Sequence, residues 1–137
     1  MPQKGKTSTT DWEKRNFLRV GSLPANSCQS ALDLSGHNRE FQLNAYEFGK
    51  NIALVWQIST ELKPFMESYK HPVNTVAAFE LMSTPIILHV ENDGESLQST
   101  VIQGEEGGTH IDYEKLHSII RNGPGIEKTK KINYFLF

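Results

Sequence analysis

The stretch YEFGKNIALVWQISTELKPF, Tyr46–Phe65, decides the fold class. Together with the residues just ahead of it, Phe41, Ala45, Phe48, Ile52, Val55/Trp56 and Leu62 recur at three- and four-residue steps. That is the period of an α-helix with one apolar face. Tyr46, Ala53 and Ile58 make both flanks apolar as well. A helix that is apolar over much of its circumference belongs in the middle of a bundle. Asn38 is placed to cap its start. Gly49 inside it costs about 1 kcal/mol against alanine, which signals close approach of another helix. Pro64 predicts an end or a bend, because proline lacks an N–H and disfavours helix in the residue before it.

Working toward the N-terminus, Phe17, Val20, Leu23, Ser27/Cys28, Ala31 and Leu34 extend a second pattern from Trp12 to Ser35. Thr10 or Asp11 is the predicted cap, with Glu13 facing the positive end of the helix. Pro24 predicts a kink, or two helices meeting near Leu23, and Gly36 a stop. Residues 1–10 are polar without periodicity and read as a disordered lead-in.

Toward the C-terminus, Tyr69–Thr75 reads as a loop and Val76–Met82 as a short helix. Thr84-Pro85-Ile86 reads as cap, first helical residue and apolar run to Val90. Asn92-Asp93-Gly94 is a turn signal, Glu95–Gln103 is weakly amphipathic, and Gly104–Gly108 is a loop. Asp112 should cap an amphipathic helix ending at Arg121. Gly123-Pro124-Gly125 breaks the chain before a last segment, Ile126–Phe137. No strand alternation persists and no internal repeat is present. The fold class is all-α.

Composition narrows the function. The 137 residues carry 14 Lys+Arg against 16 Asp+Glu, a net charge of -2, so there is no broad electrostatic footprint for nucleic acid. The hydrophobic share of 37% is low for a compact domain and points to a partner, a loose periphery or a piece of something larger. The lone Cys28 excludes an internal disulfide and any CxxC metal site, and suits a reducing compartment. No apolar run approaches the roughly 18 residues of a membrane span. The opening MPQKGKTSTT lacks the apolar core of a secretory signal and, without Arg, is a poor organelle address.

Chemistry is scarce. The four aspartates, Asp11, Asp33, Asp93 and Asp112, are never neighbours, so no aspartate pair occupies one helical turn. His110 and His117, seven apart, could share a helix face, but no third ligand of suitable spacing makes a zinc site. His37, His71 and His89 are isolated. Cys28 has no evident base or positive neighbour to activate it. GPGIEK at Gly123–Lys128 lacks the preceding strand and the GK[ST] ending of a phosphate loop. Lys128, Lys130 and Lys131 read as a solvated face.

Taken together, SCQSALDL (Ser27–Leu34), YEFGKNIALVWQISTELKPF and STPIILH (Ser83–His89) resemble the trans-polyprenyl diphosphate synthase family in order and spacing. TTDWEKRNFLRVGSLPANSCQSA, from Thr9, HIDYEKLHSIIRNGPGI, from His110, and STPIILH are more similar to the divergent second subunit of decaprenyl-synthesising members than to the catalytic one. The resemblance covers about Thr9 to Thr129. It implies a partial isoprenoid-synthase helical bundle over 11–129, lacking N-terminal and C-terminal helices. KKINYFLF, residues 130–137, is a divergent end, as in a short isoform or gene fragment.

The resemblance also says where to look for a site. The family clasps Mg²⁺ between two DDxxD motifs so that pyrophosphate can depart, since hard cations want closely spaced carboxylates. The second motif follows a Phe-Gln pair and two spacer residues. Here Trp56-Gln57 stands at the pair, Ile58-Ser59 at the spacer, and Thr60, Glu61 and Pro64 at the motif positions. Only Glu61 keeps a carboxylate. A Lys-Thr pair upstream corresponds to Arg19 and Val20, which keeps the charge and loses the hydroxyl. The first aspartate-rich motif would precede Met1.

The implication is a degenerate site at Arg19, Gln57, Thr60 and Glu61. No catalytic, cofactor or metal residue is expected in this chain, and Mg²⁺ is expected in a catalytic partner subunit. The expected role is a non-catalytic subunit, or part of one, of a heteromeric mitochondrial synthase making the isoprenoid side chain of ubiquinone. A degenerate but active prenyltransferase and an unrelated helical protein-interaction module are the alternatives.

Overall fold

The computed structural model describes residues 9–73, 77–103 and 107–136, and their arrangement is predominantly helical. The elements are α1 (Thr9–Asn16), a π-helical turn (Phe17–Gly21), α2 (Ser22–Leu34), α3 (Arg39–Met66), α4 (Thr84–Asp93), a 3-10 helix (Glu95–Thr100), β1 (Val101–Gln103), β2 (Thr109–Ile111), α5 (Tyr113–Arg121) and α6 (Pro124–Leu136). They form two compact units. One holds the described residues up to Ser59 and those from Ile132 onward; the other is Thr60–Lys131.

In the first unit the break expected near Leu23 lies earlier. The irregularity that Pro24 imposes is taken up by the π turn, which closes at Gly21, and Pro24 becomes the third residue of α2. The stop at Gly36 is chemical as well as positional. Gly36 adopts φ +80, its N–H reaches the Asp33 carbonyl at 3.0 Å, and the His37 N–H reaches Leu32 at 3.0 Å. That pair of bonds satisfies the last carbonyls of α2 in a left-handed cap that glycine adopts without strain. Asn38 caps α3 as its position predicts, its Oδ1 accepting the Phe41 N–H at 3.0 Å. Gly49 answers its own cost: a Cβ there would fall on the Pro24 carbonyl oxygen and sit 2.8 Å from the carbonyl carbon. The backbones of α2 and α3 therefore touch at this point. Trp12, Ala25, Leu54 and Ile58 are the buried apolar residues of this unit.

The second unit is built on Phe65, Phe79, Ile86, Leu116, Ile120 and Ile126, with Leu62, Tyr69 and Tyr113 packed against them. Pro64 lies in the last turn of α3, which ends two residues later at Met66. Two expectations change here. The helix expected over Val76–Met82 is not formed across Ala77–Met82, where the chain makes bends and turns that deliver Phe79 onto Phe65, ring centroids 4.9 Å apart. The segment Glu95–Gln103 is a 3-10 helix followed by a strand. β1 pairs antiparallel with β2 in the register Val101↔Ile111, Ile102↔His110 and Gln103↔Thr109. Three-residue strands are too short to show alternation. The readings made for residues 1–8, 74–76, 104–106 and 137 fall outside the described residues.

Asp112 caps α5 through Lys115 N–H at 3.1 Å. Helix α6 opens at Pro124, two residues before the expected start, because proline suits the first helical position, where its missing N–H costs nothing.

Candidate functional site

The motif positions suggested by the sequence lie at the end of α3. Glu61 is buried, and its Oε2 accepts two hydrogen bonds from Thr84, from the backbone N–H at 2.8 Å and from the hydroxyl at 2.5 Å. Thr84 opens α4, and the first turn of any helix presents backbone donors and a positive dipole end. Ser83, the residue just before, makes no side-chain cap. A carboxylate 23 residues earlier in the chain does that work. The sequence reading of Thr84 as cap and Pro85 as first helical residue is thus displaced by one: Thr84 is helical and Glu61 caps it. Burying a carboxylate is costly unless hydrogen bonds compensate, and two charge-assisted bonds do so here.

Three residues on, Pro64 is engaged through its backbone. His117 Nε2 lies 2.7 Å from the Pro64 carbonyl oxygen, one of the last four carbonyls of α3 that lack an intrahelical partner. A carbonyl only accepts, so Nε2 carries the proton. The imidazole stacks on Phe65 at 5.5 Å and 19°. Of the three motif positions, one caps α4, one is capped by α5, and Thr60 faces solvent. Within the second unit Glu61 and Pro64 thus hold helix ends together.

A second buried histidine stands on α4. His89 Nε2 lies 2.8 Å from the Ser96 hydroxyl, which in turn donates to the Asp93 carbonyl at 3.0 Å, so Nε2 is again the protonated nitrogen. Nδ1 is buried and has no hydrogen-bond partner. Burial holds the imidazole below its usual 6.5, and Asp93 works against that shift. The ring has space only because Gly123 has no side chain; a Cβ there would collide with Nδ1 and Cε1. This explains the turn Gly123-Pro124-Gly125 better than a phosphate-binding role does.

Within the first unit, Arg19 sits on the π turn and lines an open groove of about 540 Å³ with Val20, Leu23, Pro24, Ile52 and Trp56. Three positions picked out by resemblance, 19, 20 and 56, therefore share one groove. Gln57 is buried in α3. Among the described residues no group of three or more His, Cys, Asp or Glu is placed to hold a metal ion. His110 lies on β2 and His117 on α5, so they share no helix face. Cys28 is a half-buried free thiol. Thr84, His89 and His117 were not legible as site residues, because each is defined by a partner outside its own local pattern. No described helix is long and apolar enough to cross a membrane.

Over 115 residues the chain is 34% identical to human all trans-polyprenyl-diphosphate synthase PDSS2, which spans 84% of this chain and 28% of that protein. It is 28% identical over 132 residues to decaprenyl-diphosphate synthase of Dictyostelium discoideum, 93% of this chain and 28% of the relative. It is 25% identical over 122 residues to the mitochondrial solanesyl-diphosphate synthase 1 of rice, 87% and 28% respectively. The chain thus spans little more than a quarter of the length of these relatives. No family model and no solved structure matches it.

Proposed function

The chain belongs to the trans-polyprenyl-diphosphate synthase family, and we propose that it serves as a supporting, non-catalytic subunit or part of one. Its place is in a heteromeric synthase that builds the isoprenoid chain of ubiquinone. The reading rests on one observation above the others, the use of Glu61 to cap α4. Ionising an allylic diphosphate needs several oxygen ligands arranged around Mg²⁺. The only carboxylate at the motif positions is already committed to two donors, and Thr60 and Pro64 offer no charge. The residues present do not fit a magnesium cluster, so no step of the chemistry is assigned to them. Mg²⁺ and the reacting diphosphate belong to the catalytic partner.

Relatives from rice and Yarrowia lipolytica are named mitochondrial and others chloroplastic. The ubiquinone role favours the mitochondrion. Family membership also removes the reading as an unrelated helical module. The test is co-expression with the full-length catalytic synthase chain of the same organism, followed by affinity capture. The pair is expected to co-purify, while the isolated chain yields no product from allylic diphosphate, isopentenyl diphosphate and Mg²⁺. Robust turnover by the isolated chain overturns the proposal, and so does failure of the pair to form.

A further inference from the structure

Helix α6 starts against α4 along a seam with no room to spare. A Cβ at Gly125 would fall on the Pro85 carbonyl oxygen and lie 3.0 Å from the His89 backbone N, and one at Gly123 would collide with the His89 ring. The main chain of the turn between α5 and α6 therefore rests directly on α4. His89 lies within this contact and is only 2% exposed. Its Nε2–H is satisfied by Ser96 at 2.8 Å, whereas Nδ1 lies against Gly123 and has no hydrogen-bond partner.

The neutral ring suits this seam and the charged ring does not. A proton on Nδ1 adds a donor that needs an acceptor, at a place closed by the Gly123 main chain. Pro124 opens α6 at the same spot, and the positive end of a helix disfavours a cation. Few charges oppose this. On α4, Asp93 favours the charged ring but is outweighed by burial. The 3-10 helix meets the ring with the Ser96 hydroxyl, while its acid, Glu95, is exposed. The turn Gly123–Gly125 carries no charge, and Arg121 at the end of α5 is exposed. On α6, exposed Glu127 pairs with Lys130 at 3.4 Å, and Lys128 is bonded to Asn92.

We propose that His89 is a proton-operated latch on the α4–α6 seam: the neutral imidazole holds the start of α6 on α4, and a proton on Nδ1 releases it. The element with two positions is the turn Gly123–Gly125 together with the first turns of α6. Histidine suits this work because its ordinary titration lies near neutral pH. The latch belongs to the fold of this chain and does not depend on the supporting-subunit reading.

The experiment is amide hydrogen exchange on the whole chain, corrected for the intrinsic effect of pH. It compares protection of residues 128–131 in α6 with that of residues 62–66 at the end of α3. Below the ordinary 6.5 of histidine, protection in α6 is expected to fall by up to about tenfold per pH unit, while the end of α3 keeps its own. His89→Gln should remove the pH dependence in α6. An equal loss in both segments makes the proton a global destabiliser and overturns the latch. A dependence that survives His89→Gln overturns it as well. Protection that rises on acidification would place the new N–H on the Ile119 carbonyl oxygen, which borders Gly123, and would refute the release. Should His89→Gln fail to fold, an NMR titration of the His89 ring in the unaltered chain replaces it. A ring midpoint that coincides with the loss of α6 protection supports the latch, and separate midpoints refute it.

Discussion

One carboxylate oxygen of Glu61 receives both the backbone N–H and the hydroxyl of Thr84, joining the last turns of α3 to the first turn of α4. The residue that the resemblance sets at a metal-motif position acts here as a tertiary helix cap. The two roles separate by measurement. Glu61→Ala removes the acceptor of both Thr84 hydrogen bonds, and its expected cost is roughly 2–4 kcal/mol in urea unfolding. In the assembled complex the Mg²⁺ concentration dependence of turnover is expected to stay unchanged. Stability within about 0.5 kcal/mol of the unaltered protein, well below the cost of an orphaned buried donor, argues against the cap. A shifted Mg²⁺ dependence argues for a metal role.

Gly49 is a sharper steric test. A single methyl group there meets the backbone of Pro24 and Ala25, not a flexible side chain that could swing away. Gly49→Ala should therefore destabilise by about 1–3 kcal/mol, although alanine is the better helix former. A gain in thermal midpoint would show that α2 can move aside.

The legible parts of this fold share a property. Asn38, Asp112 and Gly36 act within a few residues of themselves, and the period of α3 is written continuously along its length. Each was readable because its partner is close in sequence. Glu61–Thr84 spans 23 residues and His117–Pro64 spans 53, and nothing local marks either pair. The helix expected before Met82 failed for the same reason: burial of Phe79 against Phe65 outweighed a weak local preference. Arg19 was singled out only by resemblance and Trp56 also by the period of α3, and the structure brings them to one groove.

His89 gives a pH dependence with a definite sign. Its folded imidazole titrates below the ordinary 6.5, so at mildly acidic pH the unfolded chain binds a proton that the folded chain refuses. The contribution of His89 is complete above about 6.5 and is lost as pH falls toward and past the folded value. Unfolding free energy should decline from pH 7 to pH 5, and His89→Gln should flatten that slope. A slope unaltered by the substitution would assign the dependence to other groups.

His117 combines two contributions that paired substitutions can divide. Its Nε2–H closes the C-terminal end of α3 at the Pro64 carbonyl, and its ring fills the space beside Phe65, Phe79 and Tyr69. His117→Phe keeps an aromatic ring in that cluster and removes the donor, so the expected loss is about 1–2 kcal/mol. His117→Ala removes the ring as well, leaving a cavity under a buried aromatic group, and should cost about 3 kcal/mol or more. If the two substitutions cost the same, packing contributes little and the hydrogen bond carries the residue. If phenylalanine is neutral, the bond to Pro64 contributes nothing and α3 ends without it. The intermediate result is the one this geometry requires, because the carbonyl of half-buried Pro64 in the last turn needs a donor and the ring needs a neighbour.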